Sequence, residues 1–449
     1  MKKISRRGIA VLLLTLVLTA GMVLFLFTWT QNAKDWLLFS GSPHVYRDGR
    51  PALTQVKDRD GETLLSYSPA LAYGDTPLRR AATMHLLGDR SGNIPPAFSQ
   101  EYLLPLTGYD AINGLAGAGE RVLTLTISAR VQETALQALG NHKGTVAVYN
   151  YETGEILCAV TSPTFDPDSP PDLTTDLTGA YDGVYLNRFL HGRYTPGSIF
   201  KLVTTTAAME YVPDIFARTF ICEGEMEFGV DKVICAGNHG EVDVKTALAK
   251  SCNCAFAQIA LLVGAENLTK TAESLGLTST FTVDGITTAK GQFDLSADAP
   301  VNVAWAGIGQ YTDLVNPYAF LRFMGTIAGG GQGAEPYFVR RAGSYMAKTT
   351  LTPQLFSQET ANGLTAFMQN NVNTIYGAWQ FPDIEVCAKS GTAEVGEGLL
   401  PHATFAGFCA NDAFPLAFVV VAENAGAGSD ICAPIAAKVL HACVEELAR

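Results

Sequence analysis

Thr195-Pro196-Gly197-Ser198-Ile199-Phe200-Lys201, running on into Leu202-Val203-Thr204-Thr205-Thr206-Ala207-Ala208-Met209-Glu210, is the stretch around which the chain is organised. Pro196 and Gly197 end an extended approach, and an apolar run compatible with a helix begins at the serine. Pro196 also disfavours helix at Thr195, so turn and helix start are set together. In a helix Ser198 and Lys201 stand at i and i+3 and share a face. The serine then sits in the first turn, where unpaired N–H groups and the positive dipole end favour a developing oxyanion. A lysine one turn on is a candidate base once burial lets its ammonium lose a proton. The plain alternative is an N-cap serine with a solvated lysine, and what lies downstream decides between them.

Two further short motifs follow in order, Ser251-Cys252-Asn253 and Lys389-Ser390-Gly391-Thr392. Singly, each has an ordinary reading: Ser251 and Asn253 as helix caps, Lys389 as a solvated strand lysine. Ser91-Gly92-Asn93 also matches Ser-x-Asn but has no comparable context, whereas Lys-Ser-Gly occurs once.

The surroundings suit a large folded protein outside the cell. With 449 residues, 47% apolar and 16% charged, the chain has material for two or three domains. A net charge of −12 argues against nucleic acid as a partner. Ile9 to Phe27 is uncharged and almost wholly apolar, enough to span a bilayer. Lys2, Lys3, Arg6 and Arg7 precede it, so positive-inside orientation places residues 1–8 in the cytoplasm, 9–29 in the membrane and the remainder outside. A cleaved signal peptide is the competing reading, but the apolar run is long and no clean small-x-small site follows. Outside the membrane, disulfides are permitted. Among the nine cysteines, Cys222 and Cys235 flank a predicted hairpin and form the best candidate bridge, against two unpaired buried thiols. Cys252-Asn253-Cys254 lacks Cys-x-x-Cys spacing and the seven histidines are scattered, so no metal site is expected.

Residues 30–120 read as a small irregular module, with a tight turn at Asp58-Arg59-Asp60-Gly61 and a glycine-rich linker from Gly108 to Gly119. From Arg121 the pattern regularises. Val122 to Ile127 alternates as a strand and Ser128 opens a helix to Leu139. Gly144–Tyr149 and Glu155–Val160 form a hairpin, while helices dominate 198–211, 243–263 and 266–276. Ala403–Cys409 and Leu416–Glu423 are apolar strands, and an amphipathic helix runs from Pro434 to Leu447. Strands at both ends with helices between predict an α/β fold, one antiparallel sheet flanked by helices with the chain-end strands paired.

Ser-x-x-Lys, Ser-x-Asn and Lys-(Ser/Thr)-Gly in this order are the set of the penicillin-interacting serine enzymes. At these residues the chain resembles the transpeptidase domain of the class B penicillin-binding proteins. The likeness extends to Leu123–Ser128 with Val131-Gln132, Gly154–Leu157, Ser162–Pro167, Asn187-Arg188, His239-Gly240, Gly309-Gln310 and Asn316-Pro317. It covers about residues 121–449; residues 45–120 resemble the family's membrane-proximal pedestal only loosely. The resemblance implies acyl transfer on D-Ala-D-Ala stem peptides of peptidoglycan, inhibited by β-lactams and needing no cofactor. It implies Ser198 as nucleophile, Lys201 as base, Ser251 as proton relay, Asn253 as orienter of Lys201, and Lys389 as a supporting positive charge. Ser390, Gly391 and Thr392 would join Lys389 in holding the substrate carboxylate, and the N–H groups of Ser198 and Thr392 would form the oxyanion hole. A polytopic membrane glycosyltransferase is the implied partner, contacted by anchor and pedestal. The alternatives are a D,D-carboxypeptidase or β-lactamase of the same fold, or a non-enzymatic β-lactam sensor or scaffold. A sensor needs a cytoplasmic output for which eight residues leave no room, and a scaffold is expected to have lost one of the three motifs.

Overall fold

A computed structural model describes residues 2–39, 41–42, 45–47, 50–51, 55–67, 70–98, 102–106, 109–110, 114–115, 121–295 and 299–449. Its centre is a five-stranded antiparallel sheet in the order Ile156–Ser162, Gly144–Asn150, Leu416–Ala422, His402–Cys409, Val386–Ala393. The first hairpin and the last strands are thus paired, as the pattern predicts, with Ala417 opposite Tyr149 and Val421 opposite Thr145. Leu416-Ala-Phe-Val-Val-Val-Ala422 is apolar throughout because both faces are covered. Ala417, Val419 and Val421 face one core, and Phe418, Val420 and Ala422 the other. The second core is closed by the helices Ala129–Leu139 and Gly428–Leu447, the first by Lys201–Tyr211, Asn253–Val263 and Pro317–Ala328. Each fully buried phenylalanine in these layers, such as Phe405 or Phe418, contributes about 1.5–3 kcal/mol of transfer free energy.

Capping fixes where helices begin. Ser128 accepts a hydrogen bond from the N–H of Val131, as expected for an N-cap. Asn316 caps Pro317–Ala328, and its Nδ2 donates to the carbonyls of Leu190 and Gly192, tying that helix to the segment that leads to Ser198. The predicted helix over 243–263 is two helices, Val244–Ala249 and Asn253–Val263, interrupted where Ser251 takes a positive φ of 51°. The C-terminal helix starts at Gly428, ahead of the expected Pro434. The reason is packing: a Cβ on Gly428 would stand 2.3 Å from the carbonyl oxygens of Gly391 and Thr404, so the helix start is pressed onto the sheet where only glycine fits.

A second, six-stranded sheet joins strands from residues 55–73 to strands of the larger unit. Gln55–Lys57 lies parallel to Val122–Leu125, which pairs in turn with Val339–Ala342. The Asp58 turn docks on the start of the helix Ala129–Leu139, since Asp58 Oδ2 accepts from the N–H of Ala129 at 3.0 Å. Arg80 holds Asp166 with two bonds of 2.7 and 2.6 Å. The glycine-rich linker lies outside the described residues apart from the strand pair Tyr109–Asp110 and Gly114–Leu115. At the N-terminus, Lys2–Leu38 is one helix, and its Ser5–Asn32 portion is long and apolar enough to cross a membrane. The Cys222–Cys235 bridge is not formed: all nine thiols are free and buried.

Candidate active site

Ser198 lies in a single 3-10 turn, Gly197–Phe200, that leads directly into the helix Lys201–Tyr211. Tight geometry there is obtained with glycine. Gly197 has φ of +56° and a Cβ on it would meet the carbonyl oxygen of Thr392 at 2.6 Å. The serine turn and the edge strand Val386–Ala393 are therefore in backbone contact. Gly391 makes the same point from the strand side, where a Cβ would stand 2.2 Å from Thr404 Oγ1 and 2.8 Å from the carbonyl oxygen of Pro196.

The three motifs converge. Lys201 Nζ lies 2.9 Å from Ser198 Oγ, 2.8 Å from the carbonyl oxygen of Ser251, 3.2 Å from Ser251 Oγ and 2.7 Å from Asn253 Oδ1. Two of these neighbours are carbonyl-type acceptors that take two N–H bonds, which leaves the remaining valence of the amine facing the two hydroxyls. Asn253 cannot turn its amide round, because its Nδ2 donates to the carbonyl of Ile234 at 2.8 Å. Lys389 Nζ reaches the same Ser251 hydroxyl at 3.1 Å and donates to the carbonyl of its neighbour Ser390. Ser251 Oγ is thus shared by both amines.

Both lysines are fully buried. Burial pushes Lys201 well below the ordinary lysine range, and the Lys389 charge pushes it further the same way. Burial alone brings Lys389 down to about 7. Ser198, Ser251, Asn253 and Ser390 remain partly accessible and Thr392 is exposed, so the buried amines face a surface that a substrate can reach. Val386–Ala393 is the last strand of its sheet, which puts Ser390, Gly391 and Thr392 on an edge that an incoming peptide can reach.

The sequence reading gives no role to Tyr376. Its hydroxyl lies 2.9 Å from the N–H of Ser390, 3.0 Å from Ser390 Oγ and 3.4 Å from Lys389 Nζ, and it fixes the base of the Lys-Ser-Gly strand. Thr404 Oγ1 links the sheet to the Pro196 carbonyl at 3.3 Å. Phe256, read as core, packs in the core and also sets its ring 5.7 Å from Lys201 Nζ. Deeper in, Arg188 donates to Glu423 at 2.7 Å and Tyr194 to the same oxygen at 3.0 Å, pinning the segment before Ser198 to the end of a central strand.

Comparison with known proteins agrees with this geometry. The chain is 27% identical over 413 residues to the peptidoglycan D,D-transpeptidase PbpA of Mycobacterium tuberculosis, covering 84% of this chain and 81% of the relative. Among solved structures it resembles the D,D-transpeptidase domain of a peptidoglycan glycosyltransferase from Eggerthella lenta, with TM-score 0.74, 23% identity and coverage of 88% and 98%. Penicillin-binding protein A from M. tuberculosis, solved as a ceftriaxone acyl-enzyme complex, gives TM-score 0.73 at 22% identity and coverage of 87% and 98%. The family model of the penicillin binding protein transpeptidase domain matches residues 144–441. With that match spanning most of the chain and the three motifs meeting at one serine, the chain belongs to the penicillin-binding protein transpeptidase family, on its class B branch.

Proposed function

We propose that the protein is a peptidoglycan D,D-transpeptidase that works through an acyl-enzyme on Ser198. The observation that carries this reading is the Lys201 amine, buried and 2.9 Å from Ser198 Oγ, with its N–H groups engaged by Ser251 O and Asn253 Oδ1. Ser198 Oγ attacks the penultimate D-Ala carbonyl while Lys201 takes its proton. The tetrahedral oxyanion forms toward the N–H groups of Ser198 and Thr392, one from a turn that opens a helix and one from a sheet edge. As the C–N bond breaks, the proton passes from Lys201 through Ser251 Oγ to the departing D-Ala amine; run in reverse, the same relay activates the acceptor amine of a second stem peptide. Lys389, Ser390 and Thr392 hold the terminal carboxylate, and Gly391 permits close backbone approach.

The competing outcomes are hydrolytic, carboxypeptidase or β-lactamase. Among the described residues, no carboxylate is hydrogen-bonded to Ser198, Lys201, Ser251 or Asn253, which leaves water without an added base. Incubated with a D-Ala-D-Ala pentapeptide and an amine acceptor, the protein is expected to form transfer product over hydrolysate and to keep a penicillin adduct for far longer than one catalytic cycle. Rapid penicillin turnover measured by mass spectrometry would make it a β-lactamase instead.

The same reading covers the rest of the chain. Residues 121–449 are the transpeptidase unit, 30–120 a membrane-proximal module, and 9–29 an anchor with residues 1–8 inside and the catalytic unit outside. A polytopic membrane glycosyltransferase is the proposed partner. Because Gln55–Lys57 is stitched to Val122–Leu125, deleting 30–120 would damage the catalytic unit as well. Exchanging the helix 2–38 for an unrelated anchor is the cleaner test, and co-purification with the glycosyltransferase is expected to drop. Unchanged association would remove the anchor from the contact.

A further inference from the structure

Four potential ligands with wide sequence spacing meet beside the Ser251-Cys252-Asn253 motif. Cys222 ends the strand Thr219–Cys222, Cys235 follows the hairpin strand Asp231–Ile234, His239 precedes the strand Gly240–Asp243, and Cys252 caps the helix Asn253–Val263. Cys222 Sγ, Cys235 Sγ, Cys252 Sγ and a ring nitrogen of His239 all lie within 4.8 Å of one another. Cys222 Sγ is 3.5 Å and Cys235 Sγ 3.4 Å from His239 Nδ1, and Cys235 Sγ is 3.8 Å from Cys252 Sγ.

These are the edges of a particular figure. A tetrahedron with metal–sulfur bonds of about 2.3 Å and metal–nitrogen bonds of about 2.0–2.1 Å has S···S edges of about 3.8 Å and S···N edges of about 3.5 Å. No disulfide joins these sulfurs, and the three cysteines are buried. We infer that Cys222, Cys235, His239 and Cys252 form a closed, four-coordinate zinc site. Three thiolates and one imidazole in tetrahedral array suit zinc, and a full protein ligand set with no open position suits a structural ion, not a Lewis acid in the reaction. Two of the three sulfurs also accept backbone N–H groups as thiolates do: Asn253 N donates to Cys235 Sγ at 3.3 Å and Ala255 N to Cys252 Sγ at 3.4 Å.

The site's position gives the ion a task. Cys252 lies between the two residues that contact Lys201, and Cys235 follows Ile234, whose carbonyl fixes the Asn253 amide. Ser251 is held at φ +51°, a conformation that persists only where the surroundings impose it. Joining Cys235 and Cys252 through zinc fastens the hairpin to the helix start, and so holds Ser251 and Asn253 against the base. The four ligands are positioning residues. This consequence rests on the catalytic reading; the presence of the metal does not.

The test uses full-length protein in detergent, purified under reductant and without chelator. Elemental analysis is expected to find one zinc per chain. Removing even a partner outside the coordination sphere costs about 10–100-fold in metal affinity, so Cys222→Ser and His239→Ala are expected to lose at least that. Cys254→Ser, which lies outside the four-atom set, keeps its zinc. Stripping the wild type with chelator lowers the rate of penicillin acylation more than it weakens initial penicillin binding, and zinc restores it. Should the variants fold poorly, cobalt titration of the stripped wild type stands alone, with a thiolate-to-cobalt charge-transfer band expected at one equivalent. Folded protein with no zinc and no cobalt–thiolate band would overturn the site, and zinc lost on Cys254→Ser but kept on Cys222→Ser would overturn its ligand set. Zinc bound in the absence of any Ser198 acylation would instead leave the site standing and the catalytic reading refuted.

Discussion

Ser198→Ala is expected to abolish covalent labelling by a fluorescent penicillin while leaving the fold intact. Removing the nucleophile of a serine enzyme whose residues act as a unit costs about 10⁶-fold in rate, so the loss should exceed what any gel can detect. The stability cost is small for a stated reason. Ser198 Oγ is partly accessible and bonded to Lys201 Nζ, and that amine keeps Ser251 O, Ser251 Oγ and Asn253 Oδ1 after the change. A neutral hydrogen bond of this kind contributes about 0.5–1.5 kcal/mol, which thermal unfolding would register as a shift of a few degrees or less. Stoichiometric labelling of a folded Ser198→Ala protein would move the nucleophile elsewhere and remove the basis for every other role at the site.

Lys389→Met is expected to stabilise the protein while disabling it. The buried amine is brought down to about 7 in the folded chain, against 10.5 when exposed on unfolding. Between these values the unfolded chain binds more protons than the folded one, so wild-type stability rises with pH across that window, and below about pH 7 the folded state carries the full burden of the buried charge. Replacing the buried amine by an apolar side chain of similar volume removes the cost of burying that charge. The variant should therefore unfold at higher temperature than wild type at pH 6, with the difference shrinking toward pH 10. Acylation falls for two reasons. The carboxylate loses its cation, and Lys201 loses the neighbouring charge that helps hold it neutral, so residual activity shifts to higher pH. A variant less stable than wild type at pH 6, or a difference independent of pH, would show that Lys389 is not held at a cost to the fold.

How much of this was legible in the chain depends on the range of the interaction concerned. The serine turn, the i, i+3 lysine and the apolar strands are local, and the structure has them where residue pattern puts them. The convergence of Ser251, Asn253 and Lys389 followed from a resemblance, since nothing in their spacing reveals distance in space. Tyr376 was invisible because it acts from a single irregular helical turn, Val372–Tyr376, through contacts only the assembled sheet creates. The early start of the last helix was masked by the glycine at its N-terminus, Gly428, which lets it press on the sheet but carries little helix propensity of its own. The thiol and imidazole cluster was missed because its members come from a strand end, a hairpin, a turn and a helix cap, with none of the short spacing that marks a metal motif.

The paired chain ends of the central sheet have a consequence for a protein made from its amino end. Gly144–Asn150 finds its inner neighbour in Leu416–Ala422, and Val386–Ala393 is attached to the sheet only through the two strands that follow it. Contacts so distant along a chain form late. On the proposed function, a nascent polypeptide that already carries Ser198 and Lys201 lacks the strand that would supply the carboxylate clamp and half of the oxyanion cradle. Until the strands His402–Cys409 and Leu416–Ala422 have joined the sheet, such a chain would be chemically silent, unable to consume substrate or be poisoned by an antibiotic.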